Sequence, residues 1–125
     1  HKMKNSKQMG IWMDHSDAVI MELADDTIIT HSIVSESSQH ENEQGQTSHG
    51  KPLINKEQRL SYFKVLSDSI RNYQEVVLFG PTDAKNELFN LLKADNLFKD
   101  IKIEVKNSDK LTENQMHAFI REYFK

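Results

Sequence analysis

Four aspartates, Asp14, Asp17, Asp83 and Asp109, stand where runs of apolar residues end or where turns begin. Carboxylates collected from strand ends can hold two divalent cations and activate water against a phosphodiester. One enzymatic reading is therefore a metal-dependent nuclease using Asp14, with the other three approaching it. The local pattern favours a plainer role. Asp14 opens the polar tetrad Asp14-His15-Ser16-Asp17, whose side chains bond nearby backbone groups in turns. Asp83 falls in the first turn of a predicted helix, where a carboxylate complements the helix dipole. On that reading these are turn and capping acids, and no catalytic residue is assigned.

Other chemistries are sparse. His31, His40 and His49 share one stretch with Glu36, Glu41 and Glu43, and imidazole with carboxylate suits zinc or nickel. Their nine-residue spacing matches no compact metal motif, so a solvated loop is favoured and neither metal nor cofactor is expected. The absence of cysteine rules out disulfides, thiolate zinc sites and a Cys nucleophile, and fits a reducing compartment. Gly80-Pro81-Thr82-Asp83-Ala84-Lys85 sets backbone amides and a lysine at a helix start, where phosphate can bind. It lacks the spacing of a Walker A loop, and Asp83 would repel an anion, so simple capping is preferred. Lys51, Lys56 and Arg59 cluster near the start of another helix; with His49 and Lys85 they are the candidate contacts to RNA phosphate, diluted by Glu57. Trp12, Phe63 and Tyr73 are expected in the core instead of serving as base-stacking platforms.

These residues must be positioned by a modest chain. Its 125 residues and 37% hydrophobic content fit one domain, taken as 3–125, with His1-Lys2 read as a tag remnant ahead of Met3. The net charge of −3 supplies no global field to draw nucleic acid or anionic membrane. No apolar run is long enough to span a bilayer and no signal pattern opens the chain, so a cytoplasmic protein without membrane contact is expected.

Met9–Met13, Ala18–Leu23 and Thr27–Val34 read as strands joined by tight turns, an antiparallel meander. Residues 35–54 are dominated by Ser, Gln, Glu, His and Gly and are expected to form a mobile loop. Asn55 and Gln58 then suggest a helix start, followed by Leu60, Phe63, Leu66, Ile70 and Tyr73 at helical spacing. Glu75–Phe79 reads as a strand buried on both faces, stopped by Gly80-Pro81. Thr82 can cap a helix carrying Ala84, Leu88, Leu91 and Leu92 on one face. Ile101–Val105 alternates as a strand. Thr112 and Gln115 form a capping box ahead of Met116, Phe119, Ile120 and Phe124. The order is β-β-β-α-β-α-β-α: an α/β domain with a mixed sheet, antiparallel meander first and parallel strands after, helices on its faces. That is the ribonuclease H-like arrangement.

Three segments carry a further resemblance. Gly10–Leu23 resembles the opening hairpin of the middle domain of eukaryotic and archaeal class I release factors and their pelota relatives. Gly80–Lys85 resembles that domain's turn from the fourth strand into the next helix, and His49-Gly50-Lys51 its His-Gly-Lys element. With the element order, the likeness runs from about Gly10 to Phe124, and extends to small stand-alone bacterial proteins related to that domain. It implies a component of the translational machinery, with the ribosome or rRNA as partner. One departure limits it. The family's catalytic Gly-Gly-Gln follows the His-Gly-Lys element, whereas here Lys51 precedes Pro52-Leu53-Ile54, and Gln44-Gly45-Gln46 lies on the wrong side. The domains that read stop codons and recruit a GTPase are also expected to be absent. The leading expectation is therefore a non-catalytic, ribosome- or RNA-associated accessory protein. The alternatives are the nuclease using Asp14 and a protein-interaction module that forms a homodimer through a sheet edge.

Overall fold

The computed structural model describes residues 7–24, 27–34 and 56–125. The expected loop over 35–54, the His40 and His49 readings, Lys51 and the cap at Asn55 lie outside the described residues, as does the Asp25-Asp26 turn.

Strands β1 (Gln8–Met13), β2 (Asp17–Ala24) and β3 (Thr27–Val34) form the meander. Helix α1 (Lys56–Ile70) leads to β4 (Glu75–Gly80), and α2 (Ala84–Lys93) with a short 3-10 turn leads to β5 (Lys102–Asn107). Helix α3 (Glu113–Tyr123) closes the described chain. The five strands lie in the order β3-β2-β1-β4-β5. β1 pairs antiparallel with β2, and β2 with β3, while β4 runs parallel to both β1 and β5. The ribonuclease H-like order expected from the sequence is the one found.

Alternation along the strands divides the core in two. Met9, Ile11 and Met13 of β1 join Val76 and Leu78 of β4 on one face, beneath α1 and α2. Trp12 and Phe79 point the other way, onto Met116 and Ile120 of α3. Because β1 and β4 are covered on both faces, Val76 to Phe79 can be apolar throughout, and none of the four is more than 1% exposed. Gly10 sits where α3 comes closest to the sheet. A Cβ there would lie 2.5 Å from Ile120 Cδ1, so a residue with a side chain would push the helix away. The capping box expected at Thr112 and Gln115 is present in full: each side chain bonds the other residue's backbone amide.

Two helix faces differ from expectation. Leu60 is 46% exposed and Leu91 45%, whereas Tyr62 and Lys85 are buried in their place. The buried stripe of α1 is Tyr62, Phe63, Leu66 and Ile70, rotated so that the tyrosine hydroxyl can reach a backbone acceptor at the end of β1. On α2, Lys85 lays its aliphatic stem in the core and returns its ammonium to the Thr82 carbonyl 2.6 Å away. A spacing rule that scores tyrosine and lysine as polar cannot see either choice.

Candidate functional site

The carboxyl ends of β1, β4 and β5 share one edge of the sheet, and the strand order reverses between β1 and β4. In open α/β sheets, ligands bind outside such an edge at the reversal. The edge here is built from the turn after β1, the turn from β4 into α2, and the first turns of α1 and α2.

The turn after β1 is fixed by Asp14. Its carboxylate accepts from the amides of Ser16 (2.9 Å) and Asp17 (2.8 Å), and its own amide donates to the Asp17 carbonyl at 2.9 Å. Tyr62 of α1 donates its hydroxyl to the Asp14 carbonyl at 3.0 Å, tying helix to turn. Across the reversal, Gly80 adopts φ +143°, a region that side chains disfavour, and packs its open side against the Met13 carbonyl. Thr82 Oγ1 accepts from the Ala84 amide at 3.2 Å, and Asp83 holds the N-cap position of α2 without a side-chain cap bond. The Asp83 carboxylate instead accepts from Asn86 Nδ2 at 3.2 Å.

The four candidate carboxylates thus fall in three places. Asp14 and Asp17 share one turn, Asp83 begins α2, and Asp109 lies exposed beyond β5. Among the described residues, no three His, Cys, Asp or Glu side chains converge closely enough to hold a metal ion. Of the candidate RNA contacts, His49 and Lys51 lie outside the described residues, and nothing is described of the Lys56 side chain. Lys85 is 2% exposed, so its ammonium faces its own turn instead of solvent. Arg59 is accessible at the start of α1, with Nε 3.8 Å from Glu87 Oε1.

A polar cluster absent from the sequence reading gathers around that arginine. His15 Nε2 lies 4.0 Å from Glu87 Oε2, so Glu87 stands between an imidazole of the β1–β2 turn and a guanidinium of α1. Glu87 Oε1 is buried and has no hydrogen-bond partner among the described residues, since 3.8 Å is too long for one. All three side chains are between 40% and 49% exposed, so solvent screens the pairing. No spacing signal could have joined them, because each comes from a different element. An open groove of about 280 Å³ lies elsewhere, between α1 and α2, walled by Leu60, Phe63, Arg71, Leu91 and Leu97.

Burial above all, then the charges of Asp14 and Asp17, pushes the Tyr62 phenol well above its ordinary 10.0. Tyr73 is pushed up to about 12 by burial and then by Glu22. Tyr123 is raised by burial and then by its bond to Glu104. Each phenol holds its proton more tightly folded than unfolded. The stability this contributes is therefore complete below pH 10.0 and drains away as pH climbs past it, with the Tyr73 share gone by about 12. Urea midpoints measured from pH 9 to pH 11 should hold steady and then fall above about pH 10. Tyr62→Phe should make that fall shallower; an unchanged slope would contradict the assignment.

The fold is similar to a segment of the Thermoplasma acidophilum Pelota protein, with TM-score 0.62 and 16% identity over 93% of this chain. It is equally similar to Archaeoglobus fulgidus Pelota, with TM-score 0.63 and 10% identity over 95% of this chain. In both cases the chain spans about a third of the other protein's length, 32%. A looser likeness, TM-score 0.45 and 18% identity, covers 94% of this chain and 38% of an actin-like ATPase-fold protein of Bacteroides thetaiotaomicron. No family model matches the sequence. No curated protein matches it either. At these identities the shared property is the fold: this chain has the scaffold found in a segment of archaeal Pelota.

Proposed function

We propose that this chain is a non-catalytic, ribosome- or RNA-associated accessory domain of the bacterial cytoplasm. The observation that carries the reading is the Pelota scaffold, matched over 93% and 95% of the chain. Supporting it, two segments that resemble the release-factor middle domain, Gly10–Leu23 and Gly80–Lys85, meet at one edge of the sheet. That edge is where the scaffold offers a contact to a ligand. There Arg59 stands accessible at the start of α1 beside the Asp14 turn. Its guanidinium can exchange a screened contact with Glu87 for a bidentate contact with a phosphate. No helix among the described residues is long and apolar enough to cross a membrane.

Co-sedimentation with purified ribosomes tests the proposal. The intact protein should pellet with ribosomes at low salt and be released as salt rises, because phosphate contacts displace counterions. Arg59→Glu should weaken the association at every salt concentration. A folded protein that stays in the supernatant even at low salt would sink the proposal.

A further inference from the structure

We propose that β3 pairs with the β3 of a second copy of this chain, antiparallel and with the two-fold axis at His31, joining two sheets into one. This interface is independent of ribosome or RNA binding, because it uses the sheet's lateral edge.

The two edges of the sheet are built differently. β5 carries Lys102, Glu104 and Lys106 within six residues, the usual protection of an exposed edge against pairing with another chain. β3, at the other end of the order, reads Thr-Ile-Ile-Thr-His-Ser-Ile-Val, with no lysine, arginine, acid or proline. All eight residues stay in register with β2, so no bulge twists the edge away. Ile29 is 45% exposed on it. Among the described residues, no strand pairs with its outer side. Within β3 itself, the lysine, the proline and the bulge that would blunt an edge are all missing.

The sequence of β3 also complements itself. Opposed residues of an antiparallel pair share a face, so a two-fold register must centre on a residue, not between two. Centred on His31, it sets Ile29 opposite Ile33, Thr30 opposite Ser32 and Ile28 opposite Val34. Apart from the central pair of His31 with its own copy, every pair then joins apolar to apolar or hydroxyl to hydroxyl, the combinations that stabilise cross-strand neighbours. Centred on Thr30, the strand would instead oppose Ile28 to Ser32 and Thr27 to Ile33. The chain reads alike in chemical class outward from His31 in both directions, which is what an isologous interface requires.

Light scattering over a range of concentrations is the test, combined with single-cysteine cross-linking in a chain that has no cysteine of its own. The expected particle has twice the 14.5 kDa mass of one chain. His31→Cys should form an interchain disulfide on mild oxidation, since opposed Cα atoms of such a pair lie about 5 Å apart. Lys106→Cys on the other edge should not. Ile29→Lys should give a folded monomer, judged by circular dichroism, with Ser32→Lys as a second edge variant if the first is unfolded. A monomer at all concentrations overturns the proposal. So does a dimer that survives the folded edge variant, or one that cross-links at position 106 instead of 31.

Discussion

Replacing Gly80 with alanine should destabilise the protein by about 4 kcal/mol, the sum of a backbone conformation costly to any side chain and an overpacked contact. Gly80 has φ +143°, and its missing Cβ would meet the Met13 carbonyl, a backbone atom of a strand buried on both faces. Neither partner can retreat. Moving Met13 would disturb its pairing with Ala18 of β2, and moving Gly80 would swing the turn that starts α2. Against a typical total of about 5–15 kcal/mol, such a loss removes a large fraction of the net stability. Gly10→Ala provides the comparison. Its tight contacts are with Ile120 side-chain atoms, at 2.5 and 2.7 Å, and not with backbone, so a cost of about 1–3 kcal/mol is expected. Urea unfolding of both variants should rank them in that order. Equal midpoints would show that the backbone contact at Gly80 is not the constraint described.

The second large effect lies one residue earlier. Phe79 is fully buried, and its ring stacks on Phe119 of α3 with centroids 4.2 Å apart and planes 10° from parallel. Phe79→Ala should cost about 3–5 kcal/mol, through lost burial and the cavity left beneath α3. The loss should be concentrated on that face. Amide exchange in α3 should accelerate more than in α1, because α1 packs on the opposite side through Phe63, Leu66 and Ile70. Uniform acceleration would mean the two core clusters do not behave as separate layers.

Much of this architecture is legible in the sequence because it rests on local chemistry. Alternation sets the strands, a four-residue apolar run marks β4 as central, and Thr112 with Gln115 announces α3 by bonds the two residues make with each other. The rotation of α1 and α2 about their axes is not local. It depends on what lies opposite: Tyr62 is buried because the Asp14 carbonyl awaits its hydroxyl, and Lys85 because the Thr82 carbonyl lies within 2.6 Å. Leu60 and Leu91 are displaced to the surface by those preferences. The site was legible only in part for the same reason. The chain shows that Asp14 begins a turn, since its partners are two and three residues away. It gives no sign that His15, Arg59 and Glu87 meet, because turn and two helices must first be assembled on the sheet.

That assembly places the proposed contact at the carboxyl edge of the strands, and cross-linking within a ribosome complex addresses it most directly. A thiol-linked photo-cross-linker can be attached at Glu57→Cys, in the first turn of α1, or at Lys102→Cys, where β5 begins at the opposite end of the sheet. Both variants are expected to co-sediment with ribosomes at low salt. The label at position 57 should cross-link to rRNA or ribosomal protein, and the label at 102 should not. Cross-links from 102 alone, or none from either position in a complex that does sediment, would contradict the placement of the contact at this edge.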